Sequence, residues 1–117
     1  MKLFQIEEPD GTPLETDGPG AAVGIALAEG VASIAVAVGG NAELLARLPL
    51  GEPTETLRQL RGQAEKMLAR PVTHAVIASD AAIDPAPAGL VLLRLVPADV
   101  GALGAASLAE DLAPRPS

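Results

Sequence analysis

Cysteine, tryptophan and tyrosine are absent from this 117-residue chain, and its only phenylalanine is Phe4. Without cysteine there is no disulfide framework, no thiolate metal site and no cysteine nucleophile. That lack fits a cytoplasmic protein, and a cytoplasmic location is the expectation. With one aromatic, the core must be filled by Ala, Val and Leu, which pack in thin layers. Cations are scarce too: 8 Lys and Arg stand against 15 Asp and Glu, a net charge of -7. A phosphate backbone needs a basic stripe, so this balance argues against nucleic-acid binding. It suits a soluble protein, or one that meets a basic partner surface. Long unbroken apolar runs are also missing. Residues 21–40 come nearest, but Glu29 and Gly30 interrupt them, and a charge there would be costly in lipid. No membrane attachment is therefore expected. The opening Met1-Lys2-Leu3-Phe4-Gln5-Ile6-Glu7-Glu8 lacks the long apolar stretch of a signal peptide.

What is present supports one domain. Apolar residues make up 49% of the chain, enough for a core. Residues 1–20 hold Pro9, Asp10, Gly11, Pro13, Asp17, Gly18, Pro19 and Gly20, a density of breakers that predicts an extended, partly mobile arm. Residues 23–28 and 31–38 are short runs of Val, Ile and Ala joined across Glu29-Gly30, which suits a tight hairpin. Gly39-Gly40-Asn41 is the next turn and residues 42–48 a third strand, completing an antiparallel meander.

Residues 49–53 read as a loop and Thr54 as a helix N-cap, with Glu55 in the first turn where a negative charge suits the helix dipole. Leu57, Leu60, Ala64, Met67 and Leu68 follow at helical spacing, a buried stripe. Arg58, Arg61, Glu65 and Lys66 cover the wet side, with Arg61 and Glu65 an i,i+4 pair. Pro71 ends the helix. Residues 72–79 form a nearly continuous apolar strand, as when both sheet faces are covered. Residues 80–88 are a loop, 90–96 another buried strand, 98–112 a closing helix and 113–117 a frayed tail. The expected fold is α+β or α/β in the order β-β-β-α-β-β-α, a mixed sheet of about five strands with a single lobe over residues 21–112. The short link between residues 72–79 and 90–96 leaves both a crossover and a hairpin open.

Three segments carry a resemblance. Val23-Gly24-Ile25-Ala26-Leu27-Ala28 is similar to V-G-I-D-L-G-T-T, the first strand and phosphate loop of the DnaK-type heat-shock chaperones. Residues 57–77, from Leu57-Arg58-Gln59-Leu60 to Thr73-His74-Ala75-Val76-Ile77, resemble that family's L-K-x-x-A-E-x-x-L-G-x-x-V-T-x-A-V-I-T-V-P. Gly89-Leu90-Val91-Leu92-Leu93-Arg94-Leu95-Val96 resembles its G-L-x-V-L-R-I-I/L-L strand, which precedes N-E-P-T-A-A-A. The order fits the N-terminal lobe of an actin-like ATPase, a ribonuclease-H-like unit. Leu3-Phe4-Gln5-Ile6-Glu7-Glu8-Pro9 resembles the L-L-Q-I-x-E-P-G opening of the HscA-type branch. That branch implies a link to iron–sulfur cluster assembly.

The departures bear on activity. The family's first strand ends in an Asp that organises Mg²⁺, and Ala26 stands there. Its Gly-Thr-Thr turn for phosphate is replaced by Ala28-Glu29-Gly30, which sets a carboxylate where phosphate would lie. Asp80 replaces a switch proline, and Pro97-Ala98-Asp99-Val100 replaces N-E-P-T. The subdomain inserted before the helix, the crossover helix before Gly89, the second lobe and the peptide-binding domain have no counterpart. The resemblance therefore implies a scaffold without ATPase activity and without a cofactor.

Other candidates have plain readings. Asp80, Asp84 and Asp99 lie near strand ends, where α/β sites form, but loop residues and helix caps explain them. His74, the single histidine, has no cysteine or carboxylate motif to complete a metal site. Gly39-Gly40 and residues 18–20 match no phosphate or dinucleotide loop. Ser33 and Ser79 lack a nucleophile elbow. Arg58, Arg61 and Arg70 could face an acidic partner, although a solvated face explains them. Three readings follow. The first is a non-catalytic protein that binds a partner, or itself, through exposed apolar surface of the lone lobe. The second is a weak nucleotide-binding protein or ATPase, taking ATP and Mg²⁺, with Glu29 or Asp99 as replacement ligand. The third is a folded gene remnant without a selected role.

Overall fold

The computed structural model describes residues 20–113. Residues 1–19 of the arm expected over 1–20, and residues 114–117 of the tail expected over 113–117, lie outside the described residues, as does the resemblance carried by residues 3–9.

Strands β1 (Ala21–Ala28), β2 (Val31–Val38) and β3 (Asn41–Pro49) form the expected antiparallel meander. Both of its turns use two residues with positive φ. These are Glu29 (55°) with Gly30 (76°), and Gly39 (61°) with Gly40 (85°). This is the mirror-image turn whose twist matches the flanking strands. Helix α1 (Pro53–Leu68) then leads to β4 (Val72–Ala78), which lies parallel to β1. Strand β5 (Val91–Val96) lies parallel to β4 on its far side, and helix α2 (Gly101–Leu112) closes the chain. The five-stranded sheet has the order β3-β2-β1-β4-β5. The fold is thus α+β with a mixed sheet, compatible with a ribonuclease-H-like unit. The crossover alternative is the one realised between β4 and β5, and its described structure is one 3-10 turn, Ala86–Ala88.

Side-chain alternation along the strands divides the core in two. On one face, Val23, Ile25, Leu27, Ile34, Val72, Ala75 and Ile77 pack against Leu57, Leu60 and Ala64 of α1. Ala88 and Leu90 of the crossover seal the same side. On the other face, Ala26, Ala35, Ala37, Val76 and Ala78 meet Ala102, Ala105, Ala106 and Ala109 of α2. The expected Ala, Val and Leu filling is present on both sides, joined by Ile25, Ile34 and Ile77 on the α1 side and reduced almost to alanine on the α2 side.

Several expectations change at the helices. Glu52, not Thr54, caps α1: its carboxylate accepts from the Glu55 N–H at 2.8 Å and the Thr54 N–H at 3.3 Å. Pro53 opens the helix, where its missing N–H would be unpaired anyway. Met67 lies outside the buried stripe at 59% exposure. Leu68, one residue on, carries the packing there instead, half-buried against the core. Arg61 is not on a wet face. Its Nε donates to the Val72 carbonyl at 3.0 Å and its Nη1 to the Ala88 carbonyl at 3.2 Å. The expected pair with Glu65 is present at 3.4 Å, and Glu65 also accepts from the Val72 N–H at 2.8 Å. Arg58 donates to the Pro87 carbonyl at 3.0 Å. These arginines hold the β4–β5 crossover onto α1. The closing helix begins at Gly101, after a 3-10 turn over Ala98–Val100.

Strand β5 departs most from expectation, because it is not buried. Val91 is 55% exposed, Leu92 38% and Leu95 41%. Among the described residues the strand is the last in the sheet, and no helix in the crossover covers it.

Candidate functional site

The carboxyl ends of β1, β4 and β5 border an open cleft of about 590 Å³. Its wall comes from Leu27, Ala28 and Glu29 at the end of β1, Ser79, Asp80 and Ala81 after β4, and Ala98 and Asp99 after β5. Open α/β sheets form ligand sites at this end because the loops there can vary without disturbing the strands. Three carboxylates, Glu29, Asp80 and Asp99, thus border one cleft.

Its chemistry is limited. Asp80 is engaged, its Oδ1 accepting from the Ala98 N–H at 3.1 Å and so capping the 3-10 turn after β5. Ser79 is buried; its N–H donates to the Val96 carbonyl at 2.9 Å, and its Oγ accepts from the Ala81 N–H at 3.1 Å. One oxygen of Asp80 and the Ser79 Oγ are thus engaged by backbone N–H groups. Among the described residues no Lys or Arg lines the cleft, so there a phosphate would meet carboxylates with no balancing cation. Among the described residues, no group of three or more His, Cys, Asp or Glu is placed to hold a metal ion.

The four positions that the resemblance aligns with a phosphate loop are split apart. Ala28 and Glu29 border the cleft. Ala26 faces the α2 core and is buried there. Gly30 serves the hairpin, its carbonyl accepting from the Leu50 N–H at 2.9 Å. Asp84 is not part of the cleft wall, and its Oδ1 accepts from the Ala86 N–H at 3.0 Å. His74 lies near the start of β4, away from the cleft, with Nδ1 2.7 Å from the Thr73 hydroxyl. Ser33 pairs in register with Ala26 and Arg47 inside the sheet. Gly39 and Gly40 turn both N–H groups onto the Glu110 carboxylate, at 2.5 and 3.0 Å, which ties α2 to the β2–β3 turn. Arg70 borders a smaller hollow with Glu65, Ala69 and Pro71.

The second candidate site is the outer edge of β5. Leu92 stands opposite Ala75 and Leu95 opposite Ile77, so both point to the α1 side of the sheet. Neither is covered by a helix. Leu93 and Val96 lean on the α2-side core, and Arg94 between them is exposed. A register shift at Ala75/Val76 leaves Leu93 as an extra residue in β5. Among the described residues, the backbone groups facing away from β4 have no strand partner. Sequence reasoning found this strand but not its exposure. The one signal was the lack of helical spacing in residues 80–88, which leaves nothing to cover it.

No protein-family model matches the chain, and no curated protein matches it either. Among the described residues, no helix is long and apolar enough to cross a membrane.

Proposed function

We propose that the chain is a non-catalytic binding or assembly module, a single lobe related to the ATPase domain of DnaK-type chaperones, with its docking surface at the β5 edge. The observation that carries this reading is the edge itself. A strand with no partner on one side among the described residues, and with apolar side chains on both faces, is a template for another extended segment. The chaperone relationship rests on the three sequence segments and on the order of elements they imply. The iron–sulfur link rests on residues 3–9 alone, and nothing in residues 20–113 adds to it. Loss of catalysis rests on Ala26, Ala28 and Glu29, and on a cleft whose described wall has carboxylates and no cation.

The reading is tested at the edge. Immobilised wild-type chain should reproducibly retain one partner protein or a second copy, and the Leu92→Asp/Leu95→Asp variant should retain neither. Equal retention by both chains, or none by either, would sink the proposal. The position of the cleft favours a second reading, weak nucleotide binding with Glu29 or Asp99 near the metal. Calorimetry with ATP and Mg²⁺ decides it, because micromolar binding would overturn the inactive-site assignment.

A further inference from the structure

Resting on that reading of the β5 edge, we infer that its occupant is a second copy of this chain, paired β5 to β5 antiparallel about a two-fold axis between Leu93 and Arg94. Three observations converge on this pairing.

The first is the strand's own sequence. Val91-Leu92-Leu93-Arg94-Leu95-Val96 reads almost the same in both directions, with Leu93 and Arg94 at its centre. A two-fold interface sets one patch against itself, so the patch must be self-complementary. About this centre Val91 stands opposite Val96 of the second copy, and Leu92 opposite its Leu95.

The second is facing. Residues directly opposite in an antiparallel ladder share a face of the sheet. In a regular strand Leu92 and Leu95 would point to opposite faces, because alternation has a period of two. The register shift at Ala75/Val76 changes this. Leu92 stands opposite Ala75 and Leu95 opposite Ile77, both on the α1 side. Val91, next to Leu92, and Val96, opposite Ala78, both take the α2 side. The irregularity therefore matches leucine to leucine on one face and valine to valine on the other. Without it this near-palindrome could not pair with itself face to face.

The third is the contrast with β3, which ends the sheet on the other side. Its Leu45, Ala46 and Leu48 pack on the chain's own core, and its exposed residues include Glu43 and Arg47. Charges of this kind guard an edge against pairing. The one charge on β5 is Arg94, which in the pair stands opposite Leu93 of the other copy and is exposed to water. The two Arg94 side chains repel, as do chains that each carry a net charge of -7. Salt should therefore tighten the dimer. A pair of six-residue strands buries less than a standard interface, so the dissociation constant should be on the order of 10–100 μM.

The experiment is sedimentation equilibrium on the full chain up to about ten times that concentration, with circular dichroism to show that each variant is folded. Wild type should dimerise, more tightly at higher salt. Leu92→Asp/Leu95→Asp should weaken the dimer by roughly tenfold or more, and Arg94→Gln should tighten it about threefold. Cross-linking gives an independent readout of register, because the chain has no cysteine of its own. On oxidation, a mixture of Leu92→Cys and Leu95→Cys chains should form the 92–95 disulfide faster than either chain joins to itself. In this register two residues 92 lie about 10 Å apart along the strands, beyond the reach of a disulfide. A wild type that stays monomeric at every concentration overturns the inference, and so does a dimer that Leu92→Asp/Leu95→Asp leaves intact or a mixture with no preferred cross-link. The docking reading is scored separately on the same protein. If a monomeric wild type retains a partner protein that Leu92→Asp/Leu95→Asp loses, only the inference falls. If it retains none, both fall.

Discussion

The two faces of this sheet are packed on opposite principles. On the α1 side, Val23, Ile25, Ile34, Leu57, Leu60, Val72 and Ile77 are all fully buried. Burying a side chain of that size contributes about 1.5–3 kcal/mol. On the α2 side the contact is alanine on alanine, with Val76 the one larger fully buried side chain. A buried methyl contributes only about 0.8 kcal/mol. What the α2 side has in exchange is closeness. A Cβ at Gly24 would sit 2.5 Å from the Ala105 carbonyl carbon and 2.6 Å from the Ala102 carbonyl oxygen, so the helix backbone nearly touches the strand. One face is stabilised by volume and the other by proximity. The first should fail when side chains shrink, the second when they grow.

The largest expected effect is therefore a truncation on the α1 side. Leu57→Ala should cost about 4 kcal/mol, since it removes buried methylenes and leaves a cavity between α1 and the sheet. The denaturation midpoint should fall with an unchanged slope. A loss under about 1 kcal/mol would mean that this face does not depend on volume. The second effect inverts the chemistry. Gly24→Ala adds one methyl and should cost about 3 kcal/mol, the upper part of the overpacking range. The atoms it meets are backbone and cannot rotate away. If the alanine variant were as stable as wild type, α2 would not be held close to β1, and the comparison would break.

The α1 side was legible in the sequence because its signals are local and strong. Leu57, Leu60 and Ala64 repeat at helical spacing, and the Glu29-Gly30 pair between two Val/Ile/Ala runs marks a hairpin. The α2 side was not. An alanine-rich segment with two glycines shows little contrast between faces, and the fit of α2 against Gly24 is a property of two distant segments. Strand β5 was misread for a related reason. Its apolar run looks like that of β4, and only the sheet order shows that β4 is central and β5 terminal. The cleft was partly legible: Asp80 and Asp99 were visible as residues at strand ends. Their separate roles were not, because Asp80 caps a turn 18 residues further along the chain. Arg61 looked solvated because its partners are main-chain carbonyls of Val72 and Ala88, which no side-chain pattern announces.

The third prediction concerns how each helix is anchored. With little buried volume under it, α2 should lean on its polar tie, the Glu110 carboxylate on the Gly39 and Gly40 N–H groups. Glu110→Gln keeps the shape but removes the charge and one of the two acceptors. It should cost about 1.5 kcal/mol, the scale of a charged hydrogen bond. Hydrogen exchange should show the loss as opening of α2 alone, with α1 and β1 unchanged. Uniform acceleration across both helices would instead mean that the faces unfold as one unit.

The smallest effect separates the two faces from the turn that joins them. Glu29 adopts φ of 55°, a conformation that strains an L residue other than Gly, Asn or Asp by roughly 1 kcal/mol. Glu29→Asn creates an Asn-Gly pair, the sequence that this mirror-image turn prefers, and should raise stability by about 0.5–1 kcal/mol. Glu29 belongs to neither core cluster. Its effect should therefore add to those of Leu57→Ala and Gly24→Ala without altering either. A departure from additivity beyond about 0.5 kcal/mol would show that the hairpin transmits strain between faces that otherwise act independently. The same substitution removes one carboxylate from the cleft. If Glu29 held a metal for ATP, calorimetric affinity would fall with the gain in stability. In a module that binds through β5, stability should rise while partner retention stays the same, because the turn and the β5 edge share no residue.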